Sequence, residues 1–423
     1  MNATVIDTAA IIAVGSELLT PYRADTNSVF LTARLNELAI EVRGKLIVGD
    51  DRKRLARGLE RSLDDADLVV LTGGLGPTDD DVTRDVLAQV LGMPLVEQRE
   101  IVEVIQKRFS ARGLGMPRIN RRQALVPRGA ELIPNARGTA PGLWVEWRKQ
   151  VVVALPGPPR ELKPMVDGPV RERLAPLTSG SHLARRVVAV AGSTESHVEE
   201  RVQPVYARWR QRAQVVKATI LAGPGQVELH LSTRVSSMPE AEAALDLAVE
   251  ELVAVLGCDV YTTVGLPLEQ VVGDRLRALS WRVALAESCT GGLVASRLTD
   301  IPGGSTYFDF GVVTYANGAK TDFLNVPTSL IEAHGAVSEP VALAMASGVA
   351  IRAAAEIGVG VTGTAGPTGG TDAKPVGTVC VAVTGAAGER VRTFTFSGDR
   401  DVVKRQASQA ALDMLRRMLD AHG

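Results

Sequence analysis

The chain has 423 residues, 45% hydrophobic and 22% charged, with 47 Lys and Arg against 48 Asp and Glu and a formal net charge of -1. That length implies two to three domains, and the mix is too apolar for a disordered chain. The balanced charge offers no surplus for nucleic acid or anionic membranes, and aromatics at 4% leave few stacking platforms for single strands.

No apolar run reaches the roughly 18 residues of a membrane helix, and the start MNATVIDTAAIIAVGSELL lacks the basic flank of a secretion signal. Three scattered cysteines, Cys258, Cys289 and Cys380, argue against a disulfide framework and for a reducing, cytoplasmic setting. The five histidines form no cluster with zinc spacing.

In chain order, AAIIAV (9–14) reads as a strand, TNSVFLTARLNELA (26–39) as an amphipathic helix and IEVRGKLIV (40–48) as a strand. RKRLARGLERSL forms a second helix after Asp50 and Asp51, and DLVVLT (67–72) is a buried strand before a glycine turn and the helix DVTRDVLAQVLG. VVVALPGPPRELKPM is a strand, a proline-rich turn and a helix start. This alternation predicts an α/β domain over 1–175 with a parallel sheet covered on both faces. APLTSGSHLA (175–184) breaks the periodicity and reads as a linker. Residues 184–263 alternate as strand, helix, two strands and helix, a small α+β sandwich. Residues 264–423 form a second α/β unit, with the strands RVALAE and GVVTYA (311–316), an Ala-rich helix, three more strands and a terminal helix.

Two turns carry chemistry. In LTGGLGPTDDDVTRD (71–85) a buried strand runs into Gly73, Gly74 and Gly76, and Asp79, Asp80 and Asp81 precede a helix. Backbone N–H groups of such a turn suit a phosphate, and the acids suit a hard divalent ion; helix capping by the same acids is the alternative. GSELLTPYRADTNS (15–28), ARGTAPG (136–142) and LPGPPRE (155–161) are further loops after strands, which suggests a constructed pocket.

In RVALAESCTGGLVASRL (282–298), Ser288 stands where a strand ends and a helix is about to begin. Helix-start N–H groups there can hold an oxyanion. No suitable His is apparent, and a Lys of depressed pKa can serve as the base; Lys320 closes GVVTYANGAK with Tyr315 five residues earlier. Cys289 is the rival nucleophile, and an N-cap role is the alternative for Ser288. The loop in GVGVTGTAGPTGGTDAKPVG (358–377) bears few bulky groups and suits a flat ring.

The motifs GSELL, DTN, GGLGPTDDDVTRD, INRRQA, RGTAPG and LPGPPRELKPM, with AESCTGG, LTDIPGGS, GVVTYANGAK, HGAVSE, TGTAGPTGG, KPVGTV and GDRDVVKRQ, resemble the CinA family of competence/damage-inducible proteins over essentially the whole chain. The resemblance implies a molybdopterin-binding-like three-layer α/β/α domain (1–175), a KH-like α+β middle domain (184–263) and a nicotinamide mononucleotide deamidase domain (264–423). It implies that the last domain hydrolyses the carboxamide of nicotinamide mononucleotide to the acid and ammonia without a metal. Ser288 would be the nucleophile, Lys320 the base and Tyr315 a group that orients Lys320 or relays a proton. The N–H groups near Thr290, Gly291 and Gly292 would hold the oxyanion. Gly363, Thr364, Ala365, Gly366 and Pro367 would line the pyridine or ribose, and Arg400 or Arg405 would meet the 5′-phosphate.

For the first domain the resemblance implies hydrolysis of ADP-ribose to AMP and ribose 5-phosphate with a divalent cation, Mg or Co. Asp25, Asp80 and Asp81 would hold the metal. Gly15, Glu17, Asn27, Gly73, Gly74, Gly76, Thr83, Asn120, Thr139 and Gly157 would form the nucleotide site. The segment LLTPYRADTN lacks the glycine usual in the family before DTN. The middle domain has no GXXG loop, and residues 184–257 hold 8 Lys and Arg against 9 Asp and Glu, so RNA binding does not follow. The expected partners are small nucleotides and a second copy in a homodimer, with no membrane and no nucleic acid. A non-catalytic nucleotide-binding protein of competence or DNA uptake is the competing reading.

Overall fold

The computed structural model describes residues 5–212 and 215–422. The chain forms two compact units: one up to Ala184 together with Arg234–Ala241, the other Arg185–Thr233 with Glu242 onward.

The first unit begins with β1 (Thr8–Val14), α1 (Thr26–Glu37), β2 (Glu41–Val48), α2 (Arg52–Asp65), β3 (Leu68–Thr72) and α3 (Thr83–Leu91). Then come β4 (Leu95–Glu97), α4 (Arg99–Ser110), β5 (Leu125–Pro127), β6 (Glu131–Ile133), β7 (Gly142–Trp147), β8 (Gln150–Leu155), α5 (Pro159–Met165) and α6 (Arg171–Leu174). Six strands order as β2-β1-β3-β8-β7-β6. β1 and β3 are buried at every residue, as continuous apolar runs between two helical layers must be. Val69 and Leu71 face a core with Leu55, Leu59 and Val86, whereas Leu68 and Val70 face one with Leu31, Leu35 and Leu162.

The sheet is parallel from β2 to β8 but antiparallel from β8 through β7 to β6. The expected parallel sheet is present over β2, β1, β3 and β8 and carries an antiparallel edge, β7 and β6. Trp147 pairs with Gln150 across a two-residue turn with Arg148 at φ 56, far too short for a crossover.

The second unit contains β9 (His182–Ala191), α7 (Glu195–Trp209), β10 (Lys217–Gly223), β11 (Gln226–Val235), α8 (Met238–Leu256) and β12 (Val260–Thr262). These strands form a sheet of order β10-β11-β9-β12. It continues with α9 (Leu268–Leu279), β13 (Val283–Glu287), α10 (Leu293–Thr299), β14 (Phe308–Val313), α11 (Asn317–Leu324), α12 (Thr328–His334) and α13 (Glu339–Ala353). β15 (Ile357–Gly363), β16 (Thr378–Gly385), β17 (Gly388–Thr395) and α14 (Arg400–Asp420) complete it. The five-stranded order is β14-β13-β15-β16-β17, parallel around β13 and antiparallel from β15 onward.

One core joins the two sheets of this unit. Ala189, Ala191 and Tyr261 pack with Leu268, Val272 and Leu276 and on into Val283, Leu285 and Leu412. Gln226 of β11 accepts from Tyr261 Oη at 3.1 Å and from Gln409 Nε2 of α14 at 3.1 Å. Among the described residues no helix is long and apolar enough to cross a membrane.

Candidate active sites

In the second unit a cavity of about 210 Å³ opens at the carboxyl ends of the parallel strands. This is where open α/β sheets place their ligands. Glu287 ends β13, and Ser288 follows with its N–H donated to the Val361 carbonyl of β15 at 2.9 Å. The chain then turns through Gly291 (φ 65) and Gly292 (φ 94), conformations open to glycine, into α10.

Lys320 reaches the same point from α11. Its amine is 1% exposed and lies 3.3 Å from Ser288 Oγ, 2.9 Å from the Thr314 carbonyl and 3.4 Å from the Tyr315 carbonyl. The residues that make this possible are local. β14 ends at Val313, and α11 starts four residues later, so Lys320 on its first turns points back over the strand end. Burial holds the Lys320 pKa below its ordinary value. As a neutral amine it can donate its two N–H groups to the Thr314 and Tyr315 carbonyls and turn its lone pair to the Ser288 hydroxyl.

Cys289 stands next to Ser288 but is 5% exposed, and burial pushes its thiol up to about 12. It is a protonated thiol at neutral pH, not a ready nucleophile.

Three expectations are corrected here. The helix-start donors are not free for an oxyanion at Gly291 and Gly292. Gly291 N–H donates to the Ser288 carbonyl at 3.1 Å, and the Glu287 carboxylate takes Gly292, Val294 and Ala295 N–H at 3.0, 3.2 and 2.8 Å. Glu287 is 2% exposed and had been read only as the end of a strand. The N–H groups of Cys289 and Thr290 lie beside the Cys289 sulfur.

Second, the Tyr315 side chain does not orient Lys320. Tyr315 is 60% exposed, and its hydroxyl accepts from Arg400 Nη2 at 2.7 Å; only its carbonyl meets Lys320. Third, Arg405 pairs with Asp401 at 2.8 Å on the outer face of α14 and does not line the cavity. Arg400 does, and it also donates to the Gly366 carbonyl at 2.6 Å.

Gly363, Thr364, Ala365 and Gly366 line the cavity, whereas Thr290, Gly291, Gly292 and Pro367 lie outside the lining. Asn317, Val337 and Thr362 line it and were missed. Thr362 donates to the Ala336 carbonyl at 2.8 Å, which ties the segment after α12 to β15. Val337 lies within the motif HGAVSE, whose residue types assign it no chemistry.

In the first unit a cavity of about 670 Å³ is lined by Gly15, Glu17, Asp25, Asn27, Gly73, Gly74, Gly76, Asp80, Asp81, Thr139 and Gly157. It sits after β1, β3 and β8. Thr83 and Asn120 are behind the wall. Thr83 is buried and bonds the Gly73 carbonyl at 2.8 Å and the Gly74 carbonyl at 3.2 Å, which shapes the turn. Asn120 Nδ2 donates to Gln123 Oε1 at 3.2 Å, and Gln123 lines the cavity instead. Asn27 Nδ2 ties α1 to the Gly157 carbonyl at 2.7 Å. Buried Arg84, inside the motif GGLGPTDDDVTRD but given no role there, clamps the Leu75 and Gly76 carbonyls at 2.6 and 2.5 Å.

The acids do not fit a metal centre. The Asp81 carboxylate accepts from Gly76 N–H at 2.6 Å and from Thr78 N–H and Oγ1 at 2.8 and 2.6 Å. Asp25 caps α1 through the Ser28 N–H at 3.0 Å and the Ser28 hydroxyl. Among the described residues no three His, Cys, Asp or Glu side chains gather to hold an ion. The ligand set of Asp25, Asp80 and Asp81 is corrected accordingly: two of the three build their own loops.

Fold and cavities together define a mixed α/β protein with a molybdopterin-binding-like first half and clefts at its strand ends. Residues 10–176 match the family described as "Probable molybdopterin binding domain", and residues 266–419 match the CinA C-terminal domain. A CinA-like protein of Koribacter versatilis is 45% identical over 415 residues, 97% of this chain and 99% of the relative. One of Solibacter usitatus is 42% identical over 411 residues, 97% and 98% of the two chains. The crystal structure of the competence/damage inducible protein CihA from Agrobacterium tumefaciens is 40% identical, covers 36% of this chain and 93% of its own, and has a TM-score of 0.35. The chain belongs to the CinA family.

Proposed function

We propose that the second unit hydrolyses the carboxamide of nicotinamide mononucleotide. The observation that carries the reading is a buried amine of lowered pKa, Lys320, 3.3 Å from the hydroxyl of Ser288. Neutral Lys320 takes the Ser288 proton, and Ser288 Oγ bonds to the amide carbon. The Cys289 N–H, next to Ser288 in the cavity lining, stabilises the charge that develops on the carbonyl oxygen. The C–N bond breaks as Lys320 returns its proton to the departing nitrogen, which leaves as ammonia. Water, deprotonated by Lys320, then cleaves the nicotinoyl ester and restores Ser288. Arg400 at the first turn of α14 suits the 5′-phosphate, and Lys404 one turn further stands over Gly291. The test is ammonia release from nicotinamide mononucleotide. Ser288→Ala abolishes it, Cys289→Ala leaves it within about threefold, and full turnover by Ser288→Ala would overturn the assignment.

For the first unit we propose a site for the diphosphate of ADP-ribose, supported by the glycine turn at 73–76 and the loops that wall the cavity. No hydrolytic step through a metal is assigned. The engagement of Asp25 and Asp81 in their own loops favours a second reading, nucleotide binding without cleavage. AMP formation from ADP-ribose with and without a chelator separates the two.

A further inference from the structure

β2 is one edge of the six-stranded sheet, paired on its inner side with β1. Residues 43–47 are all exposed along it. A cavity of about 810 Å³ runs between this edge and α2. It includes Arg43, Lys45, Arg54, Arg57 and Arg61, against the single acid Asp65. We propose that this groove docks an extended acidic segment of a partner protein, added as a further strand on β2. This surface is separate from both cavities described above.

The charge pattern argues first. Elsewhere in this unit several arginines are met by carboxylates, as Arg34, Arg52 and Arg121 are, and others by backbone carbonyls, as Arg84 and Arg108 are. In the groove, Lys45, Arg54, Arg57 and Arg61 have no ion-pair partner among the described residues. Arg43 meets only the Asp65 carbonyl, at 3.3 Å. In a chain of net charge -1 this is a local excess.

Geometry narrows the ligand. Arg54, Arg57 and Arg61 fall at i, i+3 and i+7, one face of α2 over about 10 Å. Alternate residues of an extended strand lie about 6.7 Å apart, so acids at alternate positions can meet Arg57 and Arg61 in turn. A strand edge supplies main-chain hydrogen bonds to an added strand. Apolar contact is available beside it. Leu46 and Ile47 are 39% and 41% exposed, and Gly58 leaves room for Leu46, since a Cβ there would stand 2.6 Å from Leu46 Cδ2.

The same features disfavour a second copy of β2. In the antiparallel register that sets Arg43 opposite Lys45, the strand meets like charges, which destabilises a cross-strand pair. Basic edges of this kind block self-pairing, and by the same sign they admit an acidic strand. Nucleic acid is disfavoured because no aromatic residue lines the groove to stack a base.

The experiment is fluorescence anisotropy of a labelled ten-residue peptide of alternating Glu and Val with the full-length protein. Controls are a Lys/Val peptide, two Glu/Val peptides N-methylated at alternate amides in opposite frames, and a ten-nucleotide oligothymidylate. The acidic peptide binds, weakens with salt, and loses at least tenfold in the double variant Arg57→Glu, Arg61→Glu. Circular dichroism melting checks that this variant folds. With the unaltered protein, one N-methylated frame loses at least tenfold and the other binds like the parent. No binding of the acidic peptide, equal binding by the double variant, equal binding in both frames, or tighter binding of the oligonucleotide overturns the proposal.

Discussion

Replacing Lys320 by Met removes an amine while keeping the bulk of the side chain, and the structure sets opposite signs for its two effects. Lys320 at 1% exposure is held by carbonyl and hydroxyl oxygens and by no carboxylate. Loss of the hydrogen bond to Thr314 costs about 1 kcal/mol. Against this, burial keeps the folded pKa of Lys320 below 10.5, so near neutral pH the unfolded chain binds the proton more readily than the folded one. Stability of the unaltered protein therefore rises with pH between the lowered folded pKa and about 10.4, and its buried amine is a burden below that window. The Met variant lacks this dependence, so at pH 7 it should melt no lower than about 1 kcal/mol beneath the parent in urea, and its relative advantage should shrink toward pH 10. Catalysis moves the other way. A positioned base contributes about 10²–10⁴ in rate, so kcat for ammonia release should fall roughly a thousandfold, about 4 kcal/mol of barrier, with KM within a few-fold. The parent rate should climb with pH as Lys320 loses its proton. A variant that keeps a tenth of the parent kcat, or a parent rate that drops as pH rises from 6 to 8, would refute the role given to this amine.

Glu287→Ala leaves three N–H groups at the start of α10 without their acceptor and should cost about 3–5 kcal/mol in urea melts; Glu287→Gln, which keeps one carbonyl oxygen, should cost about half as much. Arg400→Ala should raise KM for nicotinamide mononucleotide about tenfold or more with a smaller change in kcat, whereas Arg405→Ala, paired outward to Asp401, should change neither by more than about twofold in the same steady-state assay. Asp81→Ala should loosen the turn it ties to Gly76 and Thr78, lowering stability by about 1–3 kcal/mol and weakening ADP-ribose binding measured by calorimetry.

The sequence made some of this legible and hid the rest for physical reasons. Apolar runs bounded by glycine turns located β1, β3 and β13, because a strand buried on both faces has no other composition. Ser288 and Lys320 were readable as a pair only through their motifs; 32 residues separate them, and no periodicity reports that two strand ends adjoin. The Tyr315 hydroxyl was misplaced because residue type does not say whether a side chain or its carbonyl faces a neighbour. Asp81 and Glu287 were misjudged in opposite directions. An acid in a glycine-rich turn looks like a ligand when it is holding the turn, and an acid closing a strand looks idle when it caps the next helix. The mixed sheets turn on loop length alone, as at Trp147–Gln150, where two residues decide the direction of a strand.

The core that runs from Ala189 and Tyr261 into Leu268, Val272 and Leu412 has a practical corollary for anyone cutting this polypeptide. A scissile point chosen near residue 264 looks natural on motif grounds, yet it would strip the greasy underside from α9 and leave the Gln409 Nε2 without its acceptor on Gln226, with only Arg297 still holding that amide. Such a fragment would carry the whole of the serine–lysine cleft and still arrive at the bench prone to clumping. The piece worth expressing starts at β9.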